Sequence, residues 1–576
     1  MRRDDRVSRY TDRHKGEIAM PLMPAGRAVI ETLRAEGIDH IFGLVGTTTN
    51  SIVTELYDRT DIRFVDTRHE EGAAFMAYGY ARASGRPAAC VTTSGPGCIN
   101  LLTGIALAHK GRAPVIVIGG DVAREHLDRD GNQAFDLVDL FAPVTRLSRQ
   151  VHQTERIPAV LRDALRSALS GRRGPVFVDI PRDLMDHQTL EQPIPAPSAY
   201  RAVAQRQQAD AAAIENAVTL LTGAHRPVLL AGGGVIDAEA TDAAVALADA
   251  LDMALVAAYG HNDAVPNSHP RYVGIPGRRG APEALEAVHR ADVVLALGSR
   301  LSQGTTQWNA GTINPATRIV QVDIDATEIG RNHPIAVGLV GDARAVAEQL
   351  LAAVQRRGTR TPLTGWTAEI AMLRAKRKKR LEAEHALGGD PLMPQRVYPE
   401  LRKVLPADCM ITLDAGVAAG LAYDRLAFDH PRTLFNYAAH GGLGMGYCVG
   451  LGTKLGCPER AAVTLQGDGG FMYTPQEINT AVRHRIPHVS IVLNNRCHGA
   501  EKAQQQRHYG GKYIGVDLEN PRFDRLAEAF DARGFHAGRV DDIAGAVEAA
   551  LNVDGPAVVE IPVAEHFPLP AARPGS

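Results

Sequence analysis

Two short stretches of this sequence bring together groups that could hold a charged ligand. Gly467-Asp468-Gly469-Gly470 closes one apolar run and Asn494-Asn495 closes the next, so Asp468 and Asn495 stand 27 residues apart. A carboxylate, an amide oxygen and a backbone carbonyl are hard donors. They suit Mg2+, which keeps some water and takes its other ligands from phosphates. The glycines let the backbone approach closely, and their N–H groups with a helix N-terminus can receive anionic oxygens. A third stretch, Arg68-His69-Glu70-Glu71-Gly72, puts two acids at the start of a helical pattern. Acids there suit the helix dipole, or a proton-transfer role.

These groups need elements that end where they stand. Thr474-Pro475-Gln476-Glu477 fits a capping box with Pro at the first helical position, and Ile478, Ala481 and Val482 follow at helical spacing. Asp468 and Asn495 are therefore expected at the C-terminal ends of neighbouring parallel strands joined by a right-handed crossover. Open α/β sheets bind ligands there. Short apolar runs alternate with amphipathic stretches along most of the chain. This pattern predicts an α/β protein with three doubly wound parallel-sheet domains, over 22–186, 208–355 and 392–566, after a disordered tail at 1–21. The stretch 186–207, rich in Pro, Gln and Ala, reads as a linker. The basic run RAKRKKRLEAEH within 356–395 reads as a solvated face or crossover.

The chain has 576 residues, too many for one core. Lys and Arg number 63 and Asp and Glu 65, a formal charge of −2. Such a balance leaves no electrostatic footprint for nucleic acid or an anionic membrane. No apolar run reaches the ~20 residues of a membrane helix. The charged N-terminus lacks the apolar stretch of a secretory signal. The six cysteines are scattered without a CxxC pair, so structural thiols in a reducing cytoplasm are expected.

The GDG and NN stretches at this spacing resemble the diphosphate signature of thiamine-diphosphate enzymes. The resemblance runs over nearly the whole chain and looks closest to the acetolactate synthase-like group, of the large catalytic subunit type. It implies pyrimidine-binding, central and diphosphate-binding domains. It also implies Mg2+ held by the side chains of Asp468 and Asn495 and the carbonyl of Cys497. Gly467, Gly469, Gly470, His498 and Gly499 would surround the diphosphate. Arg68-His69-Glu70-Glu71-Gly72-Ala73-Ala74 resembles the family's RHE-x-GA motif and makes Glu70 the proton relay to the aminopyrimidine. In His440-Gly441-Gly442-Leu443-Gly444-Met445-Gly446-Tyr447, the alignment puts Leu443 under the bend of the cofactor, with Met445 as a competing assignment. Gly441 would offer its carbonyl to the aminopyrimidine.

Substrate selection follows the family less closely. The pocket loop reads Gly46-Thr47-Thr48, and the family's Phe-Gln pair reads Phe135-Asp136, with a carboxylate for the amide. Where acetohydroxyacid synthases carry Met and Trp, this chain has Ala500 and Gln504. The polar run from His498 to His508 reads either as a substrate reader or as a solvated face. Gly232-Gly233-Gly234 resembles a dinucleotide turn without the full fingerprint. FAD at the central domain, near Gly274–Gly280 and Gly298-Ser299-Arg300, ranks behind an empty structural domain. The resemblance implies decarboxylation of a 2-oxo acid, pyruvate first, and carboligation of the resulting enamine to a carbonyl acceptor. It further implies a homodimer or homotetramer with active sites between subunits. The alternatives are a 2-hydroxyacyl-CoA or oxalyl-CoA lyase or decarboxylase, and a catalytically silent cofactor-binding scaffold.

Overall fold

A computed structural model describes residues 22–190, 194–203, 205–358, 360–437 and 440–565. The expected tail at 1–21 lies outside them. Three sheets of six strands dominate the fold, and every pairing within them is parallel. The first contains His40–Gly43, Arg63–Asp66, Ala88–Thr92, Val115–Asp121, Ser148–Gln150 and Val176–Pro181. Counted along the chain, its spatial order is 2-1-3-4-6-5. The third sheet repeats that order with Met410–Leu413, Leu434–Phe435, Ala462–Gly467, Val489–Asn494, Arg533–His536 and Ala557–Pro562. The central sheet runs from Pro227–Ala231 to Val337–Val340 in the order 3-2-1-4-5-6. Strands such as Val115–Asp121, Val176–Pro181 and Val293–Leu297 are buried along their whole length. Continuous apolar runs form such strands when helices cover both faces of a parallel sheet.

The breaks between domains are more ordered than their composition suggests. Gln188–Leu190 pairs antiparallel with Leu22–Pro24, so the first domain extends past 186. Beyond it, the Tyr200 hydroxyl and the Arg201 guanidinium both donate to Glu36, the latter at 2.7 Å. The basic run lies on a 22-residue helix, Thr364–His385, and is only partly a solvated face. Trp366 donates to the Pro227 carbonyl at 3.0 Å, and Ile370 and Leu373 are buried beside it. Arg377 pairs with Asp424 at 2.9 Å. Arg380 reaches Glu283 at 3.0 Å and Asp424 at 2.7 Å. These guanidiniums join the central domain to the third, whereas Lys376 and Lys378 on the same helix stay exposed.

The first and third domains meet along two helices, Glu70–Ser84 and Gly446–Gly456. The approach is backbone to backbone. A Cβ on Gly79 would stand 2.2 Å from the Val449 carbonyl oxygen, and one on Gly452 would stand 2.0 Å from that of Met76. A flexible side chain can move aside, but a helix carbonyl cannot do so without shifting its helix. Gly79→Ala and Gly452→Ala should each cost about 1–3 kcal/mol of stability or more. Gly545→Ala, on an open helix face, should be neutral or stabilising. Chemical denaturation midpoints of the three variants test this.

Candidate active site

The strands Ala462–Gly467 and Val489–Asn494 are neighbours, with Gly467 opposite Leu493. Asp468 and Asn495 leave the sheet at the same edge as a result. Asp468 is 1% exposed, and burial raises its pKa. With its oxygen turned inward, the Asn495 amide meets only acceptors. It lies 3.1 Å from Asp468 Oδ1 and 3.0 Å from the Cys497 carbonyl oxygen; with the amide turned over, its nitrogen donates to both. Octahedral Mg2+ at ~2.1 Å from its ligands sets adjacent oxygens ~3.0 Å apart. The two Asn495 contacts are of that length, and the three groups are of the donor types that Mg2+ takes.

The surrounding glycines make room. A Cβ on Gly469 would meet the His498 ring at 2.7 Å, and one on Gly470 would meet Asp414 Oδ2 at 2.6 Å and Leu443 at 3.5 Å. Gly499 would carry a Cβ 3.1 Å from the Asn495 amide and is the first residue of the ten-residue helix Gly499–His508. A helix N-terminus and two slender glycines beside a cation pocket suit a diphosphate. Gly441 is exposed at φ +80° and Leu443 is half-buried. Met445 packs at 1% exposure into the core with Tyr447 and Phe471, leaving little surface for a ligand. Asp414 fastens the Leu443 loop by accepting from the Gly444 N–H at 3.1 Å, and burial pushes its pKa up to about 7.

The expected capping box is not made. The helix begins at Glu477, and the Thr474 hydroxyl donates to the Gly444 carbonyl at 3.0 Å. The Glu477 carboxylate crosses to the first domain, accepting from Arg68 N at 3.1 Å and His69 N at 2.9 Å. Glu70 follows directly as the first residue of its helix, 8% exposed. Its Oε2 accepts from Asn100 at 2.9 Å, while Oε1 lies on the side of Gly97. Among the described residues, no hydrogen bond of Glu70 reaches the Asp468 cluster.

Gly46, Thr47 and Thr48 form a turn against the next strand's loop. A Cβ on Gly46 would meet Thr93 at 2.4 Å, and Thr48 Oγ1 accepts from the Ser94 N–H at 3.1 Å. The Asp136 side chain is exposed and engaged locally. It caps the helix Leu137–Phe141, accepting from Asp139 N at 3.0 Å, while Phe135 stands half exposed. The side chain that reaches the Ser94 turn is Gln133, at 3.3 Å. Ala500 and Gln504 lie one turn apart on the Gly499–His508 helix, Ala500 half-buried and Gln504 exposed. Lys502 pairs with Asp517 and Glu565, and Gln505 bonds both backbone groups of Ile514. That part of the polar run fastens the following loop. In the central domain, Gly232 and Gly234 pack against the Gly298 turn, and their N–H groups bond the Leu297 and Gly298 carbonyls at 2.9 and 3.0 Å. The glycines serve loop packing here, and those two amides are not free for a phosphate. Arg279 leaves this domain to donate to the Gly416 carbonyl. Arg300 is half-buried, and its pKa falls to about 10 through burial and the like charge of Arg112.

Asn100, Gln133, Asp414, Glu477 and Asn520 all touch this site and belong to no motif read from the sequence, apart from Glu477, which was assigned to a cap. Of these, Asn520 donates to Asp468 Oδ2 at 2.7 Å.

Three parallel sheets in this order mark a recognisable class of enzyme, and comparison with known proteins names it. Residues 23–140, 214–350 and 414–561 match, respectively, the N-terminal TPP binding, central and C-terminal TPP binding domains of thiamine pyrophosphate enzymes. The chain belongs to the thiamine pyrophosphate (thiamine diphosphate) enzyme family. It is 32% identical to the sulfoacetaldehyde acetyltransferase of Alcaligenes xylosoxydans xylosoxydans, over 94% of this chain and 93% of that one. It is 31% identical to the acetolactate synthase large subunit of Haemophilus influenzae, over 95% and 96%. A probable acetolactate synthase large subunit of Methanocaldococcus jannaschii is 33% identical, over 96% and 94%. No helix among the described residues is long and apolar enough to cross a membrane.

Beneath the Thr48 turn, Asp121 and Asp179 are both 1% exposed and share Gln150, which donates to them at 3.3 and 2.7 Å. Burial, then the charge of Asp121, pushes Asp179 up to about 8. The unfolded chain gives up that proton near 3.8, so folding takes up a proton between these values. Stability from this pair is therefore lost as pH rises from about 4 to 8. Asp179→Asn should flatten that slope and exceed the wild type in stability at pH 8. Urea unfolding at successive pH values checks it.

Proposed function

We propose that this chain catalyses thiamine-diphosphate-dependent decarboxylation of a 2-oxo acid, pyruvate first, with carboligation to a carbonyl acceptor. The observation that carries the reading is the Asn495 amide within about 3 Å of both Asp468 Oδ1 and the Cys497 carbonyl, beside a glycine cradle. These three would hold Mg2+. Gly469, Gly470 and the N-terminus of the Gly499–His508 helix would receive the diphosphate. When bound, thiamine diphosphate supplies a carbon that adds to the 2-oxo carbonyl and accepts the electron pair left by CO2.

The chain's own residues do the rest. Glu70 holds and returns a proton at Oε1, because Asn100 ties its other oxygen. Glu477 fixes the two amides that precede Glu70. Leu443, beside Gly470, is the side chain that would support the bent cofactor. The turn of Gly46, Thr47, Thr48 and Ser94, with Gln133, would face the substrate, and Ala500 and Gln504 the acceptor. The domains are read as pyrimidine-binding, central and diphosphate-binding, the central one being structural. A second reading, in which the C–S bond of sulfoacetaldehyde breaks, sulfite leaves and the acetyl group passes to an oxygen nucleophile such as inorganic phosphate, gains weight because a sulfoacetaldehyde acetyltransferase matches as well as the synthases do. The polar Gln504 suits it too. Purified protein with thiamine diphosphate, Mg2+ and either pyruvate or sulfoacetaldehyde plus inorganic phosphate, followed by proton NMR, separates the two readings. Acetolactate supports the first, and consumption of sulfoacetaldehyde alone supports the second.

Each site is further proposed to lie between two subunits, Glu70 from one and Asp468 from the other. Exposed Val45 and Phe135 on the first domain and Met472 and Tyr473 beside the Gly444 turn offer apolar surface to a second copy. Glu70→Gln and Asp468→Ala should each abolish turnover, with Glu70→Gln still binding the cofactor. Mixed as a random population of dimers, the two variants should recover about a quarter of wild-type activity, because each mixed dimer regains one intact site. A site built within one chain gives no recovery. Subunit exchange followed by a turnover assay reads the difference.

A further inference from the structure

Asp468 has two oxygens with different company. Oδ1 faces the Asn495 amide and lies on the side of the Cys497 carbonyl. Oδ2 accepts from the Asn520 amide at 2.7 Å. That amide also donates to Asn494 Oδ1 at 3.2 Å, and Asn494 in turn donates to Glu560 Oε1 at 2.8 Å. Glu560 is 3% exposed, and its other oxygen accepts from Phe523 N at 3.1 Å. A hydrogen-bonded chain thus runs from the neighbouring strand, Ala557–Pro562, to the outer edge of the carboxylate. The first asparagine of the Asn pair is a strut in that chain, while the second faces the ion.

We propose that Asn520 is a positioning residue that holds Asp468 to one-oxygen coordination and thereby favours Mg2+ over Ca2+. The proposal rests on the metal reading above. Mg2+ demands near-ideal octahedral geometry, whereas Ca2+ takes six to eight oxygens at 2.3–2.6 Å and readily accepts both oxygens of one carboxylate. A carboxylate whose second oxygen is engaged by a fixed amide cannot turn both oxygens to the ion. Without that amide, Oδ2 is free to swing inward, which suits the larger cation. Partners of this outer kind tune metal affinity about 10- to 100-fold.

The test is calorimetric titration of metal-free protein, saturated with thiamine diphosphate, by Mg2+ and by Ca2+ separately. Asn520→Ala removes the donor. Asn520→Asp removes it at equal size and sets a second carboxylate against Oδ2. In both variants Mg2+ affinity should fall about tenfold or more, with Ca2+ affinity falling less or rising, so that the preference for Mg2+ shrinks. The metal-free variants should unfold at lower temperature than the wild type, Asn520→Asp most of all, because Asp468 and Asn494 lose a donor; both titrations are therefore run where circular dichroism shows each variant folded. An unchanged Mg2+ to Ca2+ affinity ratio in both variants overturns the role of Asn520 while leaving the metal site standing. A wild type that binds neither ion overturns the metal reading and this inference with it.

Discussion

Oxygen atoms that face one another with no proton between them repel. In the third domain the Asn495 amide stands about 3 Å from both a carboxylate oxygen and a peptide carbonyl. Either the amide N–H donated to both, or a small cation held among the oxygens, makes that arrangement favourable, and the proposed Mg2+ is the second of these. The rest of the domain can be understood as what holds the three in place. Parallel register brings Asp468 and Asn495 out of the sheet together. Slender residues at 469, 470 and 499 keep the surroundings open. An outer chain of side chains from Asn520 to Glu560 restrains the carboxylate from behind.

The first domain has the same strand order but a different task. The turn that corresponds to Gly467–Gly470 reads Thr93-Ser94-Gly95-Pro96, with no acid to meet a cation. Its acid, Glu70, comes instead from the helix after the second strand. One topology therefore supplies a charged metal edge in one copy and a proton-handling helix start in the other. Glu477 links the two, because a residue of the third domain fixes the backbone that leads into Glu70.

What the sequence made legible follows from the range of the signal. Alternating apolar runs disclosed three parallel α/β domains, because burial on both faces writes itself locally. Asp468 and Asn495 were legible because a strand, a helix and a strand set their spacing. Asn100, Gln133 and Asn520 were not, since each acts across a fold contact that leaves no local pattern. Local rules also misled where a tertiary partner outbid them. Glu477 fits a helix cap but reaches another domain. Arg377 and Arg380 lie in what looks like a solvated run, and they bind acids of two domains.

The contact of Gly79 and Gly452 with facing carbonyls has a mechanical consequence. Where two helices touch through backbone, no compliant side chain stands between them at that point, so the first and third domains of one chain are closely braced against each other. If sites form between subunits as proposed, each subunit acts like a fixed caliper, with Glu70 at one jaw and Asp468 at the other. Any change in the span of that caliper is imposed on both active sites of a dimer at once. A substitution at this distant helix crossing could then alter the fit of cofactor to protein without touching either site.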